Sequence, residues 1–64
     1  MKVYLERQDK NVTIKFAGTA ARLLKRFKLN PQEVLVSRNG TLVTEKEKLK
    51  DSDNVTLLSV ISGG

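Results

Sequence analysis

Apolar residues recur at helical spacing in one stretch of the chain, residues 20–27. The stripe consists of Ala20, Leu23, Leu24 and Phe27, at positions i, i+3, i+4 and i+7. Thr19 is predicted to cap this helix, because its hydroxyl can accept a hydrogen bond from a free amide of the first turn. Asn30-Pro31 is predicted to stop it, since proline has no N–H to extend the hydrogen-bond ladder. A helix with one apolar stripe must bury that stripe against a second layer, which the rest of the chain has to provide.

The other apolar residues follow the two-residue period of β-strands. The predicted strands cover residues 1–6, 11–16, 34–38, 41–43 and 55–61. Asn39-Gly40 predicts a tight hairpin, because both residues accept the positive φ angles of a type I′ turn. Thr44 and Glu47 have the spacing of a capping box, which predicts a short helical turn over residues 45–49. The whole pattern predicts an α+β fold, with one helix packed across one face of a mixed sheet of four to five strands.

The composition excludes most of the chemistry that small enzymes use. The 64 residues include no cysteine and no histidine, so the chain has no thiol nucleophile, no imidazole base and no usual zinc ligand. Glu45, Glu47, Asp51 and Asp53 are interpreted as solvated loop residues without a metal or catalytic role. A chain this short forms one domain. We therefore predict a single non-enzymatic domain that binds no metal and no cofactor of its own.

The charge balance is strongly positive. Twelve Lys and Arg against seven Asp and Glu give a formal net charge of +5. A basic cluster along and just after the predicted helix contains Arg22, Lys25, Arg26 and Lys28. Such a cluster can contact phosphates, but cations near a helix C-terminus also complement the helix dipole, and we prefer this second interpretation.

The first residues indicate where the protein resides. The chain becomes charged at Glu6-Arg7, before an apolar run long enough for a signal peptide or a membrane span has formed. This start predicts a cytoplasmic protein with no membrane partner.

Three segments, taken in order, resemble a known family. They are residues 34–40 with Asn39-Gly40, residues 49–55, and Gly63-Gly64 directly after a hydrophobic strand. Across its whole length the chain resembles the ubiquitin-like β-grasp superfamily, and most of all the small sulfur carriers (ThiS/MoaD-like) and the small archaeal modifier proteins (SAMP-like). The resemblance implies a β-grasp domain over residues 1–61, in which the first and last strands lie parallel at the sheet centre. It also implies that residues 62–64 form a flexible tail.

The resemblance implies that the carboxylate of Gly64 is the working group. In such proteins an E1-like enzyme uses ATP to adenylate this carboxylate, which is then converted to a thiocarboxylate for a sulfur-acceptor enzyme or joined to target lysines by an isopeptide bond. This chain has no Gly-rich phosphate loop, so the ATP chemistry belongs to the partner. Gly63 and Gly64 lack a Cβ, which suits a tail that must enter a narrow channel.

Two surfaces are candidates for binding partners. Leu35, Leu58 and Val60 are predicted to form an apolar patch on the sheet face that the helix leaves open, where an activating enzyme can dock. Isolated exposed apolar side chains are equally ordinary. The alternative function is a β-grasp module that binds RNA or protein through its basic helix or its sheet face. Nucleic acid is the less favoured partner, and the discriminating test is whether function survives loss of Gly63-Gly64.

Overall fold

A computed structural model describes residues 1–59 of the chain. The strands are β1 (Lys2–Leu5), β2 (Lys10–Thr13), β3 (Gly18–Thr19), β4 (Val34–Arg38), β5 (Thr41–Val43), β6 (Lys48–Leu49) and β7 (Asn54–Ser59). The helix α1 covers Ala20–Arg26, and a 3-10 turn at Glu6–Gln8 follows β1. Five strands form the main sheet in the order β2-β1-β7-β4-β5, and β3 pairs with β6 in a separate two-stranded sheet.

The last described strand, β7, lies at the centre of the main sheet. It pairs parallel with β1, where Val3 lies opposite Val55, and antiparallel with β4, where Val36 lies opposite Leu57. The predicted mixed sheet with one helix is confirmed, with five strands. The parallel pairing of the first and last strands, implied by the family resemblance, is also found.

The core lies between α1 and one face of the main sheet. Leu23 and Leu24 of the helix and Val3 and Val55 of the two central strands are almost completely buried. Each fully buried aliphatic side chain contributes about 1.5–3 kcal/mol relative to an exposed one, so this small set provides much of the folding free energy. The other buried apolar residues are Met1, Leu5, Ala20, Val36, Leu49 and Leu57.

The second strand is shorter than predicted. It ends at Thr13, although Ile14 and Phe16 still pack against the core as their alternation indicates. The reason is that β1 begins at Lys2, which lies opposite Thr13. No earlier residue of β1 is available to pair with the residues after Thr13. Ile14 bonds to the carbonyl of Met1, whereas the N–H of Phe16 donates to the carboxylate of Asp51 at 2.8 Å.

The helix begins as predicted and ends earlier than predicted. The hydroxyl of Thr19 accepts a hydrogen bond from the N–H of Arg22, which confirms the cap. The helix stops at Arg26 because Lys28 adopts a left-handed conformation with φ 59°. The N–H of Lys28 then donates to the carbonyl of Lys25 at 3.0 Å, and that of Leu29 donates to Leu24 at 2.8 Å. These two bonds define a Schellman motif, so Asn30-Pro31 follows a helix that has already ended.

Lys28→Gly is expected to stabilise the protein by about 0.5–1 kcal/mol, because glycine adopts the left-handed conformation without the steric cost that a Cβ brings. Chemical denaturation with urea measures this change. Lys28→Ala is the control, since it removes the charge and keeps the Cβ. If the alanine variant gains as much stability as the glycine variant, the left-handed backbone is not the cause.

Of the two predicted turns that flank β5, one is found and the other is not. Asn39 and Gly40 have φ angles of 51° and 87°, as the type I′ prediction requires. The predicted helical turn over residues 45–49 is wrong: a single turn, closed by a bond from Glu47 N–H to the Thr44 carbonyl, leads into β6. The pairing of Lys48–Leu49 with Gly18–Thr19 prevents a helical turn there, and Leu49 is buried.

Two acidic residues interpreted as solvated loop residues have structural roles. The carboxylate of Asp53 is buried and accepts bonds from the N–H of Lys50 at 2.8 Å and from the side-chain amide of Asn39 at 3.2 Å. The carboxylate of Asp51 is exposed, and it accepts bonds from the N–H of Phe16 and the α-amino group of Met1. For Asp53 the solvated interpretation is therefore wrong, because its carboxylate joins two turns.

These hydrogen bonds hold both carboxylates in the charged form. The backbone N–H of Phe16 and the nearby α-amino group lower the pKa of Asp51 below its usual value. The pKa of Asp53 is lowered mainly by the N–H of Lys50 and further by the amide of Asn39. Both groups therefore remain ionised at neutral pH, as their structural hydrogen bonds require.

Candidate functional site

The predicted working group lies outside the described residues. Gly63, Gly64 and Val60 all follow Ser59, the last residue of β7. In the sequence only five residues separate Ser59 from the end of Gly64. The structure therefore describes the strand that leads to Gly63-Gly64, and the predictions on the tail itself remain predictions.

The strand that leads to the tail is held on both sides. β7 pairs with β1 from Asn54 to Leu57 and with β4 from Val55 to Ser59. Val34 lies opposite Ser59, so the pairing with β4 continues to the last described residue. A strand at the centre of a sheet gives the segment that follows it a defined starting point.

A small cavity lies beside the end of β7. Its volume is about 140 Å³, and Ser59 is one of its lining residues. The apolar part of its wall consists of Leu5, Leu29, Val34 and Leu57. Arg7 and Glu33, both exposed, add one positive and one negative group to the lining.

Two of the three residues of the predicted apolar patch lie within the described part of the chain. Leu35 and Leu58 lie opposite each other on neighbouring strands, on the sheet face away from α1. Leu35 is 45% exposed, and Leu58 is half-buried. Val60, the third predicted member, lies outside the described residues. The structure therefore brings the two described members of the patch together.

Leu42 belongs to the same face and was not predicted. It is 60% exposed, and it lies opposite Ser37, which is two residues after Leu35 on β4. Val43 lies opposite the buried Val36 and faces inward, so the alternation within β5 turns Leu42 outward. We call Leu35, Leu42 and Leu58 the open-face patch.

Tyr4 also lies on this face, and its hydroxyl makes a hydrogen bond within the same part of the chain. Its hydroxyl donates to the carboxylate of Asp9 at 2.6 Å. This bond raises the pKa of Tyr4, and the neighbouring negative charges act in the same direction. The phenol is therefore un-ionised at neutral pH and borders the open-face patch as a polar group.

Neither a metal site nor a membrane-spanning helix occurs in residues 1–59. No group of three or more Asp and Glu is placed to hold a metal ion there. In the same part of the chain, no helix has the length and apolar character needed to cross a membrane.

The topology defines the class of protein. A mixed five-stranded sheet has its first and last strands parallel at the centre and one helix across a single face. This arrangement is the α+β fold of the ubiquitin-like β-grasp proteins, as the family resemblance implied.

Comparison with known proteins identifies the family. The chain matches the ThiS family over residues 4–64. It is 32% identical to the sulfur carrier protein TtuB of Thermus thermophilus over 65 residues, and this alignment covers all of both chains. Its fold is similar to the solution NMR structure of a thiamine biosynthesis protein from Geobacter metallireducens. The TM-score is 0.62, and the 25% identical alignment covers all of this chain and 88% of the other.

The chain therefore belongs to the ThiS family. This family comprises small sulfur carriers, so the protein is a carrier and not itself an enzyme. The predicted resemblance to ThiS/MoaD-like carriers is confirmed.

Proposed function

We propose that this carrier acts through the carboxylate of Gly64. An oxygen of the carboxylate attacks the α-phosphorus of ATP on an E1-like partner, pyrophosphate leaves, and an acyl adenylate forms. Hydrosulfide delivered by a partner then attacks the carbonyl carbon, the bond to AMP breaks, AMP leaves, and loss of the S–H proton gives a thiocarboxylate. If the ε-amino group of a target lysine attacks instead, the product is an isopeptide bond.

The observation that carries this proposal is the central position of β7. β1 and β4 hold β7 on both sides, and β4 pairs with it as far as Ser59; the five residues after Ser59 end in Gly63-Gly64. Five extended residues span at most about 18 Å, which is sufficient to carry a carboxylate away from the sheet. The family match extends through Gly64, which also supports a role for this residue.

The chain itself supplies no means of activation. Phosphoryl and nucleotidyl transfer depend on groups that surround the nucleotide and stabilise its charge. The sequence lacks a Gly-rich phosphate loop, a cysteine and a histidine. We therefore assign ATP and its binding site to the activating enzyme, and we treat this chain as the substrate.

We assign the open-face patch to recognition by that enzyme. Leu35 and Leu42 expose much of their apolar surface, and neighbouring exposed apolar side chains on one face support a contact with another protein. The patch lies on β4, β5 and β7; β7 is the strand that leads to Gly64, and β4 pairs directly with it. An enzyme that contacts the patch is thereby oriented relative to the tail.

Leu35→Lys is expected to lower kcat/KM for activation by about tenfold or more, because truncating or charging a central apolar contact commonly costs this much. The fold is expected to remain intact, since Leu35 is exposed at a sheet surface. Thr13→Lys is the matched control, because Thr13 is exposed on the same sheet face but on the edge strand β2. Rates of pyrophosphate release with purified activating enzyme measure both variants. Equal rates for Leu35→Lys and the unchanged protein would remove the patch from the proposal.

The experiment that tests the function itself is an intact-mass measurement. The protein is incubated with ATP, a sulfur source and extract of its native cells. Replacement of one oxygen of the chain by sulfur is expected, and fragmentation is expected to locate it at Gly64. Adducts with larger proteins through Gly64 would make conjugation the primary role. An unchanged mass, in an extract that activates a known carrier, would contradict the proposal.

A further inference from the structure

The outer side of α1 carries a cluster of positive charge. Arg22, Lys25 and Arg26 are exposed, and their i, i+3 and i+4 spacing places them on one side of the helix. The helix has no acidic residue, and the ion pairs within residues 1–59 lie elsewhere in the fold. In the described part of the chain, these three charges are therefore not neutralised by an ion pair.

Apolar surface lies on both sides of these cations. On one side, Phe16 and Ala17 line an open groove together with all three basic residues. On the other side, a second shallow groove shares Arg22 and Lys25. The apolar residues of this second groove are Ala21, Leu29 and Pro31. We call the two grooves and their cations the basic helix face.

The groove that contains Phe16 is already formed in the free protein. The N–H of Phe16 is bonded to Asp51 at 2.8 Å, and the side chain packs partly against the core. Its ring lies so close to Gly18 that a Cβ added there would be 3.3 Å from it. The position of the ring is therefore defined by its neighbours, and no partner has to order it.

The chemistry of the basic helix face favours carboxylates over a nucleic acid. Proteins that bind single strands stack the bases on exposed aromatic rings. The aromatic side chain in this groove, Phe16, is only half-exposed and lies against Gly18. By contrast, aliphatic stems of Lys and Arg interleaved with Ala, Leu and Pro fit a segment that carries both apolar and acidic side chains.

We propose that the basic helix face is a second docking surface, which binds an acidic amphipathic segment of a partner protein. α1 covers one face of the sheet and the open-face patch lies on the other, so the two surfaces point in opposite directions. A protein bound to the helix leaves the open-face patch accessible. The carrier can therefore be held by one protein while a second one contacts the open-face patch.

The test is an NMR titration of the full-length, 15N-labelled protein with a synthetic helical peptide of Glu and Leu in an amphipathic pattern. At an ionic strength of about 0.15 M, backbone shifts are expected around residues 16–29 and not around Leu35 or Leu58. Arg22→Glu combined with Arg26→Glu is expected to weaken binding about tenfold or more. The neutral pair Arg22→Gln and Arg26→Gln provides the same test if charge reversal disturbs the fold.

The matched control reverses two exposed charges on β1 and β2, with Lys2→Glu and Lys10→Glu, and it has the same net charge as the first variant. It is expected to change the affinity by about twofold or less, because only long-range attraction is lost. An equal loss of affinity in both variants would mean that the net charge alone attracts the peptide and that the helix carries no docking surface. Shifts centred on the open-face patch would also overturn the proposal. Tighter binding of an oligouridylate at the helix would make it a phosphate-binding face instead.

Discussion

A variant that lacks Gly64 is expected to form no thiocarboxylate and to retain its fold. The deletion leaves a carboxylate on Gly63, but this group ends about 3.5 Å short of the position that the reaction requires. Misplacement of a reacting group by about 1 Å can already cost roughly a hundredfold in rate. The measurement is the intact mass after incubation with ATP, activating enzyme and sulfur source, together with the thermal midpoint.

Two further variants distinguish the effect of the length of the tail from the effect of the side chain at its last residue. Gly64→Ala keeps the length, and it is expected to lower the rate roughly a hundredfold because a Cβ beside the carbonyl disturbs its placement. Ser62→Ala is the matched control within the same tail and is expected to react normally. Normal thiocarboxylate formation by the shortened chain would show that Gly64 is not the working residue.

Leu23→Ala is expected to have the largest effect on stability. Leu23 has no exposed surface, and truncating a buried leucine costs about 2–5 kcal/mol. A domain of this size has a total stability of roughly 3–10 kcal/mol, so the variant is expected to be largely unfolded or close to it. Circular dichroism during urea denaturation measures the loss.

Leu42→Ala is the control for this substitution, because it removes the same atoms from a side chain that is 60% exposed. Its free energy of unfolding is expected to change by about 0.5 kcal/mol or less. A similar loss in both variants would contradict the assignment of Leu23 to the centre of the core.

The features that could be predicted from sequence are those with a regular period or a distinctive turn. The stripe from Ala20 to Phe27 identified the helix, and Asn39-Gly40 identified the hairpin. Both signals are local, because each follows from the conformations that neighbouring residues favour. The shared sheet face of Leu35 and Leu58 could also be predicted, because it follows from the alternation of side chains once both strands are placed in one sheet.

The features that were missed depend on contacts between distant parts of the chain. β3 and β6 have two residues each, too few for a period, and they exist because they pair with each other. Asp53 looked like an ordinary loop residue, and only the fold brings the amide of Asn39 to it. The early helix end depends on a lysine in a left-handed conformation, which residue preferences do not predict.

At the candidate site, sequence and structure contribute different parts. Gly63 and Gly64 were identified by position and by resemblance, and the structure describes the strand that precedes them. Leu42 was missed because the run Thr41-Leu42-Val43 is too short to show which residue faces the core. Its pairing with β4 decides the question, since Leu42 lies opposite Ser37.

The central place of β7 also affects how the protein is made. During synthesis, the hairpin of β1 and β2 and the hairpin of β4 and β5 leave the ribosome before the strand that joins them. Contacts between residues far apart in sequence form late in folding, because the loop between them must be closed first. A nascent chain therefore cannot complete its sheet until Asn54–Ser59 has emerged, only five residues before Gly64. Chains that terminate before β7 therefore lack the central strand of the sheet, and we expect them to remain unfolded and exposed to proteolysis.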